Sequence, residues 1–378
     1  MKKVFFVSLA VSFSALVMAQ GNSADVLTKD FIVEKENKTT SVKNQAMTGT
    51  CWSFSTTALV ESQFLKNSKS DNIDLSEMFT VKNIYVEKAK NYIMRQGAAQ
   101  FGEGGLGHDV IRAIATYGAM PEQAYSGLAE GKKMHNHARL TKELKTYLDS
   151  MLKKKPLPLN WLDGYKEILD KELGKTPESF DYNGKTYTAK TFADEVLHFK
   201  ADDYVNLTSF TDHPYYSAYI INIPDNFSNG SYYNLPLDEF VSTAKEVIKK
   251  GYTFMWDADV SNAGFRQENG LALNIAAGVK VSKDSFTTAY KEDGYNAARR
   301  QQLFDELITQ DDHLMQAAGL VKTKDGREFF TVKNSWGEQG PYKGFIMVSE
   351  PYFGINTVSL VVPKAALGKE LLAKLKLN

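Results

Sequence analysis

Residues 42–55 read VKNQAMTGTCWSFS and contain Cys51, the only cysteine of the chain. Apolar side chains recur at roughly helical spacing from Trp52 to Leu65, which predicts a helix that begins at Cys51. A helix N-terminus lowers the pKa of a thiol, and the thiolate is the nucleophilic form. Gln45 lies six residues earlier, where its amide and the Cys51 N–H could form an oxyanion hole. A free cysteine is also often a small buried hydrophobe, so this segment alone leaves both interpretations open.

A second segment, far along the chain, supplies the partners that a nucleophilic cysteine needs. His313 opens an apolar stretch, and Asn334 follows 21 residues later in the sequence Asn-Ser-Trp-Gly. A cysteine nucleophile needs a histidine to take the thiol proton and an amide or carboxylate to orient the imidazole. We therefore predict that Cys51, His313 and Asn334 act together, with Trp336 covering the hydrogen bond between His313 and Asn334.

The periodicity of the sequence changes from helical to strand-like along the chain. Helical patterns occupy most of the first third and return in the lysine-rich stretch 131–175 and at 237–248. Five β-rich runs follow, at residues 252–256, 314–321, 328–333, 344–348 and 358–362. This order predicts an α+β fold and argues against a parallel α/β sheet.

Composition excludes several classes of protein. The 378 residues include 45 basic and 45 acidic side chains, so overall charge favours neither nucleic acid nor an acidic membrane. A single cysteine excludes an internal disulfide and a multi-cysteine metal site. His135 and His137 have no carboxylate or cysteine at ligand spacing, so we predict no metal site there. The predicted chemistry also uses no cofactor.

The N-terminus has the pattern of a secretory signal peptide. Lys2 and Lys3 precede an apolar run from Val4 to Met18, and small residues precede Gln20. We predict that residues 1–19 are removed and that the mature protein is soluble, without membrane attachment, in the periplasm or outside the cell. A buried N-terminal strand or helix is the alternative.

Taken together, these motifs resemble the papain superfamily of cysteine peptidases. The papain-like fingerprint C-G-[SA]-C-[WY] falls on residues 48–52, with Thr48 in place of the first cysteine and Thr50 in place of the small residue. His313 lies about 120 residues further from Cys51 than that pattern expects, which indicates an insertion between the two halves of the site. The insertion and the single thiol resemble the bleomycin hydrolase/aminopeptidase C branch, peptidase family C1B.

The resemblance implies a papain-like domain in two halves. A helical half at 20–130 would carry the nucleophile, an insertion would fill 131–250, and an antiparallel β-rich half with a C-terminal tail would occupy 251–378. It also implies a substrate cleft. Its walls would include Gly104 and Gly105 of a glycine-rich loop, together with the indoles Trp52 and Trp336.

The implied activity is an aminopeptidase that cleaves peptides through a thioester on Cys51, with hexameric assembly as a further expectation from the family. In the resembling branch, a C-terminal arm reaches the cleft and its carboxylate holds the substrate's α-amino group. Here the tail from Pro363 to Asn378 has the pattern of an amphipathic helix that could instead pack on the surface. The open alternatives are an endopeptidase or amide hydrolase with an open cleft, and a non-catalytic peptide-binding protein.

Overall fold

The computed structural model describes residues 30–70, 72–282 and 285–377. The predicted signal peptide and Asn378 lie outside these residues. In this part of the chain, no helix has both the length and the hydropathy needed to cross a membrane. The helices are α1 (Cys51–Asn67), α2 (Glu77–Met94), α3 (Gly107–Tyr117), α4 (Ala138–Leu152), α5 (Trp161–Leu173), α6 (Ala189–Glu195), α7 (Leu237–Lys249), α8 (Ala297–Asp305), α9 (Glu350–Asn356) and α10 (Lys369–Lys374).

The strands form one large sheet and one small hairpin. They are β1 (Ile32–Glu36), β2 (Phe180–Tyr182), β3 (Lys185–Tyr187), β4 (Tyr204–Thr208), β5 (Ala218–Ile220), β6 (Ser231–Asn234), β7 (Phe254–Ala258), β8 (Phe265–Arg266), β9 (Leu271–Ala272), β10 (His313–Lys322), β11 (Glu328–Lys333), β12 (Phe345–Ser349) and β13 (Thr357–Pro363). The large sheet has the order β5-β6-β4-β13-β7-β10-β11-β12-β9-β8, and β1 also pairs with β10.

Helix α1 is the central element of the helical half. Thirteen of its 17 residues are buried, so it is surrounded by protein on nearly every side. Two local features fix the ends of the neighbouring helices. Ser76 caps α2 by accepting a hydrogen bond from the Phe79 N–H at 3.0 Å. Gly118 ends α3 with φ of 85°, a conformation that glycine adopts without steric cost.

The sheet differs from a purely antiparallel arrangement in two places. β4 pairs with β6, and β9 pairs with β12, in parallel. Strands β4, β5 and β6 come from the predicted insertion, yet they continue the large sheet beyond β13. This part of the predicted insertion is therefore joined to β13 by backbone hydrogen bonds.

The two faces of the sheet carry different helices, because side chains alternate along each strand. Met255 and Leu314 belong to the hydrophobic cluster that contains α1. Phe254 and Trp256 belong to a second cluster, which contains α7 and, from the C-terminal helix, Leu371 and Leu375. Helix α10 therefore packs on the face opposite Cys51, as the surface-packing alternative for the tail expected.

Arg300 connects the segment after β4 with helix α9. Its side chain is buried and donates to the carbonyls of Ser209 at 2.6 Å, Gly354 at 3.1 Å and Ile355 at 3.3 Å. We expect Arg300→Met to lower the free energy of unfolding by about 3 kcal/mol, because three buried carbonyls lose a charged donor. Urea denaturation would measure this.

The matched control for that measurement is Arg299→Met, one residue earlier on the same helix. Arg299 is exposed, and its guanidinium bonds Gln302 at 3.0 Å. The control should unfold at nearly the same urea concentration as the unsubstituted protein. Equal destabilisation by both substitutions would contradict this account of Arg300.

Candidate active site

Cys51 lies where the N-terminus of α1 meets the start of β10. The backbone N–H of Leu314, the residue that follows His313, acts on the Cys51 sulfur and opposes the rise of its pKa. Cys51 is the first residue of α1 and His313 is the first residue of β10, so the contact between these two elements brings both side chains to one place. Both residues are buried, Cys51 at 8% and His313 at 4% exposure.

The His313 ring is fixed by Asn334 and Trp336. His313 Nε2 donates to Asn334 Oδ1 at 2.7 Å, which leaves Nδ1 as the ring atom able to accept a proton. The Trp336 ring stacks on the imidazole, with 4.6 Å between centroids and 28° between planes. Asn334 is held in turn, because its Nδ2 donates to Gln267 Oε1 at 2.9 Å. This arrangement sets one orientation for the imidazole.

The loop that carries Gln45 is bound to the loop that carries Asn334. The Gln45 N–H donates to the Ser335 carbonyl at 2.8 Å, and the Ser335 hydroxyl donates to Gln45 Oε1 at 2.6 Å. One N–H of the Gln45 side chain donates to the Thr48 carbonyl at 2.7 Å. The second N–H of that amide is the one that could contribute to an oxyanion hole beside Cys51.

The glycine-rich loop lies directly against Trp52. The indole N–H of Trp52 donates to the Glu103 carbonyl at 3.0 Å, and a Cβ on Gly105 would come within 3.1 Å of the indole ring. A Cβ on Gly104 would lie 1.9 Å from the carboxylate of Asp225, so only glycine allows that approach. The insertion thus covers one of the two predicted substrate-binding glycines with a carboxylate.

The electrostatic surroundings of the thiol differ from the sequence prediction. Burial raises the pKa of Cys51 to about 12, and the charges of Asp311, Asp225 and Asp257 act in the same direction. Burial also lowers the pKa of His313 to about 4, although the hydrogen bond to Asn334 opposes this. The prediction of a lowered pKa for the Cys51 thiol was therefore wrong, because burial changes this pKa more than the helix N-terminus does. At neutral pH these shifts favour an uncharged Cys51 thiol and an uncharged His313 imidazole.

Sequence reasoning missed the carboxylates that surround the thiol. Asp225, Asp257 and Asp311 were assigned no role, although all three act on Cys51. One signal was available, since Asp257 interrupts an otherwise apolar strand whose five residues are all buried. A charged residue inside a buried strand is rare unless it is paired or functional.

The geometry is suited to acyl transfer. Cys51 and His313 are both buried, at the first residues of α1 and β10, and the His313 imidazole is fixed by the Asn334 amide. A histidine held in this way can take the proton of a thiol within its reach and later return it. Among residues 30–70, 72–282 and 285–377, no group of three or more His, Cys, Asp or Glu side chains could hold a metal ion.

Comparison with known proteins identifies two family models. The model of the Peptidase C1-like family matches residues 98–378, and that of the papain family cysteine proteases matches residues 27–155. The first match covers most of the chain and includes both His313 and Asn334. The second includes Gln45 and Cys51.

Individual relatives match over nearly the whole chain. Aminopeptidase C of Streptococcus thermophilus is 24% identical over 96% of this chain and 89% of its own. Aminopeptidase G of Lactobacillus delbrueckii subsp. lactis is 26% identical over 90% of this chain and 84% of its own. The crystal structure of PepW from Lactobacillus rhamnosis HN001 superposes with a TM-score of 0.73 at 20% identity, covering 94% of this chain and 86% of that one. The chain therefore shares the overall fold of PepW.

Proposed function

We infer that this chain, which belongs to the Peptidase C1-like family, is a cysteine aminopeptidase that removes residues from the amino-terminal end of peptides. The observation that carries this proposal is the 2.7 Å hydrogen bond from His313 to Asn334, next to Leu314, whose backbone N–H acts on the Cys51 sulfur. The names aminopeptidase C and aminopeptidase G of the relatives support the same class of activity for this chain.

The proposed reaction proceeds through a thioester. The Cys51 sulfur attacks the scissile carbonyl carbon while His313 Nδ1 takes the thiol proton. The Cys51 N–H and the free N–H of Gln45 donate to the oxyanion. His313 then transfers its proton to the leaving amine, and the acyl group stays on sulfur. Water activated by His313 hydrolyses the thioester and restores the thiol, while Asn334 holds the imidazole in place.

A pair of substrates that differ in one acetyl group tests the exopeptidase proposal. We expect kcat/KM for a fluorogenic aminoacyl amide to fall at least about 100-fold when its α-amine is acetylated, because the amide loses both the charge and the donors that the site would bind. Steady-state fluorescence measures both rates on the same enzyme preparation.

Each other outcome of this test favours one of the alternatives. Equal cleavage of the two forms would contradict an aminopeptidase and favour an endopeptidase or amide hydrolase. Binding of peptides without cleavage of either form would favour a non-catalytic binding protein. Cys51→Ala serves as the blank for hydrolysis that does not depend on the thiol.

Export and assembly are further parts of the proposal. The run from Val4 to Met18 after Lys2 and Lys3 supports export, and mass spectrometry of the mature N-terminus would detect cleavage before Gln20. Assembly into hexamers rests on the family resemblance, and the mass of the protein in solution would measure it.

A further inference from the structure

We propose that Glu103 is a positioning residue for the oxyanion hole, because its carboxylate fixes the peptide group that holds the side-chain amide of Gln45. The proposal rests on the aminopeptidase mechanism inferred above, in which a free N–H of Gln45 donates to the oxyanion. It adds one residue of the glycine-rich loop to the groups on which the reaction depends. Glu103 would act through Gln45 and not on the reacting atoms.

The peptide group between Thr48 and Gly49 is held from both sides. Its carbonyl accepts a hydrogen bond from Gln45 Nε2 at 2.7 Å, and its N–H donates to Glu103 Oε2 at 2.6 Å. The carbonyl and the N–H of one planar trans peptide point in opposite directions, so a partner that fixes the N–H also fixes the carbonyl. The bond to Glu103 therefore determines where the Gln45 amide finds its acceptor.

The chemistry of the acceptor makes the bond from Gly49 to Glu103 a strong one. A hydrogen bond to a carboxylate is about twice as strong as a bond between neutral groups. A charged acceptor at one end of a peptide group also polarises the carbonyl at the other end, which strengthens the bond from Gln45. A Cβ on Gly49 would lie 3.1 Å from the Cβ of Glu103, so glycine permits the close approach that this bond needs. Loss of the carboxylate would weaken the hold on the Gln45 amide.

Glu103 is itself held by contacts on its backbone and on its side chain. Its carbonyl accepts from the Trp52 indole at 3.0 Å, and Lys88 Nζ donates to the carbonyl of the next residue, Gly104. The second carboxylate oxygen, Oε1, lies 3.1 Å from the hydroxyl of Thr141 on helix α4. A side chain that is anchored in this way can hold another group in one orientation, as a positioning residue must.

The preceding part of the same loop is fixed by other contacts, which do not involve Glu103. The Met47 N–H donates to the His135 carbonyl, and the His137 N–H donates to the Met47 carbonyl, both at 3.1 Å. The Thr48 hydroxyl donates to the Gln45 carbonyl at 2.8 Å. Replacement of Glu103 should therefore leave the path of the loop in place and change mainly the orientation of one peptide group.

A double-mutant cycle with Gln45 tests the proposal. We expect Glu103→Met, which keeps the length of the side chain but lacks an acceptor, to lower kcat for a free-amine aminoacyl amide about 10- to 100-fold. KM should change by at most about 3-fold, because an oxyanion donor acts mainly in the transition state. In the Gln45→Ala background, Glu103→Met should lower kcat by at most about 3-fold, since the group on which Glu103 acts is already absent.

Two further variants separate positioning from a general effect on the fold. Glu103→Gln keeps an oxygen that can accept from the Gly49 N–H, so it should lower kcat by at most about 5-fold. Glu130→Met, at an exposed glutamate between α3 and α4, should leave kcat unchanged and is the matched control. Urea denaturation compares the stability of all variants, and Glu103→Ala takes the place of Glu103→Met in the cycle if the methionine variant does not fold.

The outcomes separate failure of this proposal from failure of the proposed function. If the unsubstituted protein does not cleave the aminoacyl amide, the aminopeptidase assignment fails. If it is active and Glu103→Met lowers kcat by the same factor with and without Gln45, Glu103 has only a structural role and the positioning proposal is overturned while the activity stands. An unchanged kcat in Glu103→Met, or in Gln45→Ala, would overturn the proposal in the same way.

Discussion

Replacement of Cys51 by alanine is expected to lower kcat/KM at least about 1,000-fold, because the nucleophile is removed. Cys51 is the only cysteine of the chain, so no other thiol can replace it. Alanine also removes only the sulfur atom from this buried side chain, so the substitution should disturb the fold little. Steady-state kinetics on an aminoacyl amide would measure the loss.

Ser55→Ala is the matched control for this substitution. Ser55 is buried on the same helix, and its hydroxyl makes a long hydrogen bond of 3.3 Å to the Trp52 carbonyl. This variant should keep kcat/KM close to that of the unsubstituted protein. If Cys51→Ala keeps substantial activity while a preparation without the enzyme shows none, the assignment of Cys51 as the nucleophile is contradicted.

His313→Asn is expected to lower kcat/KM by about 1,000-fold, because the thiol then has no base to take its proton. The size of the loss follows from the protonation state of the thiol. Since burial raises the pKa of Cys51 to about 12, almost no thiolate forms at neutral pH without a proton acceptor. His198→Asn, at an exposed histidine whose ring contacts the Asp194 carbonyl, should leave the rate unchanged and serves as the control.

The His313→Asn variant also identifies the His313 signal in a histidine NMR titration, because that signal is missing from its spectrum. Burial lowers the pKa of His313 to about 4, from an ordinary value near 6.5, so the ring should stay neutral as the pH falls from 7 to 5. The unfolded chain takes up this proton at higher pH than the folded chain, so this group should make the protein less stable as the pH falls from about 6.5 toward 4. A His313 signal that titrates near 6.5 would contradict the buried, neutral pair.

The residues proposed to carry out the reaction could be predicted from the sequence, because local motifs identify them. Cys51 at a helix start and Asn334 before Ser-Trp-Gly are recognisable within a few residues. His313 required only that its apolar stretch be a strand, which β-branched and aromatic composition supports. Strand β11 falls on the predicted residues 328–333, because its apolar run is bounded by turn residues on the N-terminal side. Strong local signals therefore sufficed for these elements.

The other parts of the fold and of the site depend on contacts between residues that are far apart in the sequence. Strands β4, β5 and β6 have three to five residues each, and their sequences, rich in Tyr and Asn, carry little periodicity. They are strands because β13 offers β4 a partner, which no local pattern reveals. The three aspartates whose charges act on Cys51 likewise come from separate places: Asp257 from β7, and Asp225 and Asp311 from segments outside the strands. Their common location follows only from the completed sheet.

The predicted direction of the pKa shift of Cys51 was wrong for a related reason. A helix N-terminus is visible in sequence, and it favours the thiolate. Burial of Cys51 and the approach of Asp225 and Asp311 are tertiary effects, and they favour the thiol. The prediction counted the local effect alone.

Acid-quench mass spectrometry during the first turnover of an aminoacyl ester tests the central claim most directly, because a thioester survives in acid. The proposed mechanism predicts one acyl group per chain, located on the peptide that contains Cys51, that accumulates before steady state and is absent in Cys51→Ala. Turnover at an undiminished rate with no acyl group on Cys51 would contradict it.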